Sequence, residues 1–255
     1  MTAQQLEGRS TLVTGASRGF GRAIATALAQ AGAQVAGVAR DGGRLAELRA
    51  ELGSGFIPVA ADAADPVVAG RLIDRYQPSL LVLAAGAAPL SRPLHQQTWQ
   101  SFSRIWDVDV QQVFHWAREA LLKPLAPGST VVAFSSGAAL FGSPISGGYA
   151  GSKATIRFIA AYAADESDRA GLGIRFVSVL PQLTPETELG AAAVAAYAAR
   201  EGMDVPGFLA TRGPSLTPGQ VGAAVLDLAA GADETGSASG GGAYLLTAAG
   251  LKELS

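Results

Sequence analysis

The stretch that most restricts how this chain can fold is its first forty residues. Ser10–Thr14 reads as a short apolar strand running straight into Thr14-Gly15-Ala16-Ser17-Arg18-Gly19-Phe20-Gly21, and an alanine-rich helix follows from Phe20 to Ala31, stopping at Gly32. Gln34–Ala39 has the composition of a second strand. Strand, helix and strand in that order form a βαβ unit, whose crossover sets the two strands parallel. A parallel sheet must then be covered by helices on both faces.

The pattern repeats along the chain. A helix at Arg44–Leu52 leads to a strand at Phe56–Ala60, and Asp65-Pro66 caps a helix that runs to Tyr76. Leu80–Ala85 is apolar throughout, as a strand buried on both faces should be. Thr98 opens one long helix to Leu122, Thr130–Ser135 is the fifth strand, and a helix over 149–170 precedes a sixth strand at Ile174–Leu180. Thr217-Pro218 caps a further helix to Ala230, and Ala243–Thr247 is the last strand. Steady alternation without a composition break predicts an α/β fold, a three-layer doubly wound parallel sheet in a single domain over residues 1–255. Residues 181–216, rich in Pro and Gly and containing the alanine-rich Leu189–Arg200, form an excursion placed to act as a substrate lid. Asp233–Gly242 is Gly/Ser-rich and is expected to be mobile.

Composition removes several functions. A net charge of -2 over 255 residues, with no long basic run, argues against nucleic acid or an anionic membrane as the partner. The absence of cysteine excludes disulfides, thiolate metal sites and thiol nucleophiles, and two histidines, His95 and His115, leave little for a metal site, so none is expected. The N-terminus lacks the basic start and apolar core of a signal peptide, and no apolar run is long enough to span a bilayer; a cytoplasmic protein is expected.

Three motifs carry chemistry. Glycines in the turn from Thr14 to Gly21 let the backbone approach a pyrophosphate, while the helix start offers unpaired N–H groups. The same residues Gly15-Ala16-Ser17-Arg18-Gly19 also match the Gly-x-Ser-x-Gly elbow of serine hydrolases, which needs a downstream acid and histidine; only His95, in a Pro-rich loop, and His115, on a helix, could serve. Tyr149 and Lys153 stand four residues apart, on one helix face, where the ammonium favours the phenolate and fits the phenol for proton transfer at an alcohol or carbonyl oxygen. Ser136, at a strand end, can hydrogen-bond the same oxygen.

Set side by side, TGASRGFG, Asp62, Ser136 and Tyr149-Ala-Gly-Ser-Lys153 resemble the short-chain dehydrogenase/reductase family over roughly residues 9–185. The resemblance implies a Rossmann domain holding a nicotinamide cofactor. Carried over, Tyr149 is the general acid–base, Ser136 holds the substrate oxygen, and Lys153 assists Tyr149 and binds the nicotinamide ribose. Gly15, Ser17, Arg18, Gly19, Phe20 and Gly21 form the cofactor turn, Asp62 contacts adenine, Gly86 gives close approach, and Pro181 with Thr184 or Thr187 reaches the nicotinamide. An acid that would accept ribose hydroxyls is replaced by Ala39, with Arg40 following and Arg18 nearby, so NADP(H) is expected over NAD(H).

The sequence also departs from the family. The usual Asn-Asn-Ala-Gly reads Leu83-Ala84-Ala85-Gly86, so bonds those asparagines make must be made otherwise or dispensed with. Asp109 replaces an asparagine that helps hold a water beside the lysine, and its charge opposes the effect of Lys153 on Tyr149. Asp109 therefore joins Ser136, Tyr149 and Lys153 as a catalytic candidate. Pro181-Gln182 stands where Pro-Gly is usual. The aromatic residues Trp99, Trp106, Phe114 and Trp116 suit core or subunit contacts, and a homo-oligomer, dimer or tetramer, is expected. The reading is an NADP(H)-dependent oxidoreductase interconverting a carbonyl and an alcohol of a small molecule. Its alternatives are a catalytically decayed NADP(H)-binding scaffold and a lyase or isomerase on the same fold. Leu140, Phe141, Pro144 and Ile145, between Ser136 and Tyr149, suit an apolar pocket mouth.

Overall fold

The computed structural model describes residues 6–234 and 241–254; residues 235–240 of the Gly/Ser-rich stretch lie outside them. Among the described residues eight strands form one sheet: β1 Ser10–Thr14, β2 Gln34–Ala39, β3 Phe56–Ala60, β4 Leu80–Leu83, β5 Thr130–Phe134, β6 Arg175–Pro181, β7 Gly242–Thr247 and β8 Gly250–Leu254. Their spatial order is β3-β2-β1-β4-β5-β6-β7-β8. The first seven pair in parallel, with β1 between β2 and β4. The strand order reverses there, and such a reversal opens a crevice at the strands' carboxyl ends.

Neighbouring residues along each strand feed opposite cores, as a period of two requires. Val13, Val35, Val82, Val132 and Val177 face a core shared with α1 (Gly19–Gln30) and α10 (Pro218–Glu234). Leu12, Ala36, Leu81, Val131 and Phe176 face the other, packed by α3 (Pro66–Tyr76), α5 (Gln111–Leu122) and α7 (Gly147–Arg169). The two cores bracket the sheet in three layers, with α2 (Gly42–Leu52) beside α1.

Three elements differ from expectation. The sheet gains an antiparallel edge strand, because Thr247 pairs with Gly250 across a two-residue turn at a glycine with φ 110°. β4 stops at Leu83, since the N–H groups of Ala84 and Ala85 bond the Thr14 hydroxyl at 3.0 and 3.2 Å rather than a neighbouring strand. The long helix from Thr98 is broken into α4 (Trp99–Ser103), a wide π-type turn (Trp106–Val110) and α5. Such turns re-aim side chains, and this one leaves Asp109 only 1% exposed.

The Thr14 hydroxyl also bonds Gln112 Oε1, and Gln112 Nε2 donates to Ala85 O at 3.0 Å. A buried amide on α5 thus ties β1 to the segment after β4, where the usual asparagines are missing.

α6 (Ala138–Phe141) lies before α7, and the segment between β6 and α10 carries α8 (Glu188–Arg200) and α9 (Val205–Ala210). Val194, Ala198 and Phe208 form its own small core, with Tyr197 stacked on Phe208. Among the described residues no helix is long and apolar enough to cross a membrane.

The start of α7 is set by close backbone packing. A Cβ on Gly148 would lie 2.0 Å from the carbonyl oxygen of Phe102, and Trp106 Nε1 donates to Gly148 O at 3.1 Å. Alanine favours helices in isolation, but here the α4 backbone would have to retreat. Gly148→Ala is expected to lower stability by about 1–3 kcal/mol in urea unfolding; unchanged stability contradicts this packing role.

Candidate active site

The turn after β1 is shaped by what its glycines exclude. Gly15 has φ 73°, and a Cβ there would come within 2.7 Å of Ala85 Cα; one on Gly21 would lie 2.2 Å from Gly15 O. Only bare backbone lets α1 begin this close to β1 and β4. Arg18 at the helix start is extended and makes no side-chain cap, and the first turn of α1 holds no acid. Its leading N–H groups are therefore left for an anion. Ser17 and Gly19 are half-buried at this turn, and Phe20 packs onto the core beneath it. These features fit the phosphates of a dinucleotide.

Along the same edge, Ala39 ends β2 and Arg40 projects beyond it, exposed. Asp41 caps α2 by accepting from Arg44 N at 3.0 Å. Asp62 is exposed just past β3, its carboxylate closing a turn onto Ala64 N. Gly86 lies against Asp109, where an added Cβ would stand 3.0 Å from Oδ2. Pro181 ends β6 and its carbonyl accepts from Gly137 N at 2.9 Å, fixing the segment just after Ser136. Thr184 is buried and donates to Leu216 O at 2.6 Å, while Thr187 caps α8 by accepting from Gly190 N at 3.0 Å. Both hydroxyls are thus engaged in structure.

Ser136, Tyr149 and Lys153 are brought together by a clamp between β5 and α7. Ser135 Oγ donates to Lys153 O at 2.7 Å, and Lys153 Nζ donates to Phe134 O at 3.1 Å. Ser136, next in sequence, is half-buried and its hydroxyl accepts from Ala138 N at 3.2 Å. Tyr149 is half-buried, with Lys153 Nζ 5.5 Å from its ring centre. Its hydroxyl has no hydrogen bond among the described residues, so it is open to a ligand.

Asp109 completes this group by direct contact, where the sequence suggested a shared water. Its Oδ2 lies 3.0 Å from Lys153 Nζ, and Oδ1 accepts from Ala87 N at 2.8 Å. The Oδ2 contact is a charge pair set out of line for a directed hydrogen bond, leaving that oxygen's bonding capacity unfilled. Burial pulls the Lys153 pKa down, but the charges of Asp109 and then Tyr149, with the Asp109 contact, more than offset it, and the net direction is up. The ammonium is retained at neutral pH.

The residues that sequence reasoning missed are Gln112, Arg44 and Glu188. Gln112 had no signal beyond its place three residues after Asp109. Arg18 Nη1 and Arg44 Nη1 both pair with Glu188, at 2.8 and 3.1 Å, a contact across three separate elements. The hydrolase reading gains no support: His95 is exposed and contacts Gln96, His115 packs on Phe114, and neither bonds Ser17. Among the described residues no group of three or more His, Asp or Glu gathers to hold a metal.

A family model for short chain dehydrogenase matches residues 9–198. The Haemophilus influenzae protein named "Probable NADP-dependent dehydrogenase" is 33% identical over 186 residues, 70% of this chain and 73% of that protein. A short chain dehydrogenase from Burkholderia cenocepacia, solved in complex with NADP, superposes with a TM-score of 0.76 at 28% identity, covering 91% of this chain and 96% of the other. The fold alone is shared with a 3-ketoacyl-(acyl-carrier-protein) reductase from Brucella melitensis complexed with NADH, at TM-score 0.76 and 23% identity over 94% and 97% of the two chains. The glycine turn, Ser136, Tyr149 and Lys153 all lie within the matched span, and the chain belongs to the short-chain dehydrogenase/reductase family of oxidoreductases.

Proposed function

We propose that this protein is an NADP(H)-dependent oxidoreductase interconverting a carbonyl and an alcohol, with Tyr149 as general acid–base. The observation that carries the reading is the open Tyr149 hydroxyl one helical turn from a buried Lys153 that is held charged by Asp109. When bound, the cofactor supplies or takes up the hydride. The residues suited to hold it are the turn Gly15–Gly21, including Ser17, Arg18, Gly19 and Phe20, with Arg40, Asp62, Gly86, Pro181, Tyr149 and Lys153 around it; the buried Thr184, whose hydroxyl is bound to Leu216 O, falls outside this set.

In reduction Tyr149 gives its proton to the substrate oxygen, and in oxidation it takes that proton back. Ser136 hydrogen-bonds the same oxygen. Lys153, kept charged by the Asp109 carboxylate 3.0 Å away, stands one helical turn from Tyr149. The excursion at 181–216 covers the crevice as a lid. Its Tyr197 hydroxyl meets Ser143 on the loop before α7, beside the apolar residues Leu140, Phe141, Pro144 and Ile145.

Arg40 and Arg18, with no acid at Ala39, support NADP(H) over NAD(H), as does the NADP named for two of the similar proteins. The decayed scaffold loses its main support, because Thr14 and Gln112 supply bonds where asparagines are missing. The exposed aromatics Phe114, Phe158 and Tyr162 on α5 and α7 support a homo-oligomer, a dimer or tetramer.

Three experiments test this reading. Tyr149→Phe is expected to cut carbonyl reduction about 10²- to 10⁴-fold while NADPH titration still quenches tryptophan emission; ordinary turnover by that variant sinks the mechanism. Asp109→Asn removes the carboxylate that keeps the buried Lys153 charged, so the alkaline limb of the pH–rate profile is expected to move to lower pH; an unmoved profile rejects the role given to Asp109. Arg40→Ala should weaken NADPH binding far more than NADH binding, and equal losses reject the cofactor preference.

A further inference from the structure

The cations that face the cofactor turn are not free. Arg18 lies in the glycine turn, Arg40 at the end of β2 and Arg44 in the first turn of α2, so three guanidiniums border the adenosine side of the crevice. Glu188, the first residue of α8, divides its two oxygens between two of them: Oε2 to Arg18 Nη1 at 2.8 Å and Oε1 to Arg44 Nη1 at 3.1 Å. Asp41 Oδ2 also lies 3.5 Å from Arg44 Nε. Arg40 alone of the three has no carboxylate partner among the described residues.

The contact sits directly over the turn. Thr187, which caps α8, has its side chain 3.7 Å from where a Cβ of Gly19 would be, so the lid's first turn rests on the glycine turn. Bonds from Arg18 and then Arg44 hold the Glu188 carboxyl below the usual carboxylate range, and it is an anion at neutral pH. Three positive and two negative side chains leave this corner little net charge for a phosphate dianion. Exposed ion pairs are individually weak and exchange readily, and a phosphate offers guanidinium more oxygens and more charge than a carboxylate does.

We propose that Glu188 is a coenzyme-selectivity residue: its carboxylate competes with the 2′-phosphate of NADP(H) for Arg18 and Arg44 and lowers the preference that Arg40 and these two cations create. The inference rests on the NADP(H) reading above. It requires no contribution from Glu188 to hydride or proton transfer, and it places selectivity partly in the lid, far along the chain from the strand end where the motif is read.

Calorimetry on the full chain tests it, with NADPH, NADH, 2′,5′-ADP and 5′-AMP as probes for the natural protein and for Glu188→Gln, which keeps the side chain's size and removes its charge. The variant is expected to bind NADPH and 2′,5′-ADP roughly 3- to 30-fold more tightly at low ionic strength, with NADH and 5′-AMP nearly unchanged and the gain shrinking as salt is raised. Equal tightening of NADPH and NADH, an unchanged ratio, or weaker NADPH binding by the variant overturns the inference while leaving the NADP(H) reading in place. If the natural protein binds neither NADPH nor 2′,5′-ADP and the variant does no better, the cofactor reading falls and this inference with it.

Discussion

The site depends on a buried charge pair. Lys153 and Asp109 are 8% and 1% exposed on their side chains and 3.0 Å apart, and neither charge could stay in that place alone. Removing two ions from water costs several kcal/mol each, recovered only when partners fill their remaining bonding capacity. Here Lys153 Nζ donates a hydrogen bond to Phe134 O, and Ala87 N–H donates one to Asp109 Oδ1. Four segments are therefore held at one point: the end of β5, the loop after β4, the wide turn before α5 and the middle of α7. The Lys153 pKa is raised by the pair, so its contribution to stability is complete below the unfolded lysine's value and is lost as pH rises through the folded one. Chemistry and folding share this contact.

The crevice beside it is maintained by a neutral network of the same kind. Without asparagines after β4, the N–H groups of Ala84 and Ala85 would be left without acceptors where the strand ends. Thr14 Oγ takes both, and Gln112 binds that hydroxyl and the Ala85 carbonyl. Buried polar groups are costly when unpaired. A departure that looked like decay in the motif is thus answered by a side chain from a different helix.

How far the sequence could be read follows from the range of the forces involved. The βαβ start, the glycine turn and the caps at Asp65 and Thr98 depend on neighbours within a few residues, and the structure has them where composition put them. The pair Tyr149 and Lys153 was legible because one helical turn separates them. The broken helix before Leu122 was not, because its periodicity continues through the wide turn and the reason for the break, the pull of Lys153 and Ala87 on Asp109, comes from elsewhere in the chain. β8 was missed because Leu251-Lys-Glu-Leu254 is too short to stand out, and only pairing with β7 makes it a strand. Arg18 and Arg44 meet Glu188 across 170 and 144 residues, a distance no local pattern encodes.

The Asp109–Lys153 pair and the contact of Glu188 with its arginines use one chemistry in opposite settings. Asp109 and Lys153 are shut away from water, so their attraction is weakly screened and any exchange leaves an uncompensated buried charge; that contact is permanent. Glu188 and its arginines are more than two-fifths exposed, where water and salt can replace either partner at little cost. The first arrangement suits a residue that must keep one charge through every turnover. The second suits a place that must release one anion to admit another. On the proposed reading, burial rather than residue type separates a fixed part of the catalytic group from an exchangeable one at the cofactor's edge.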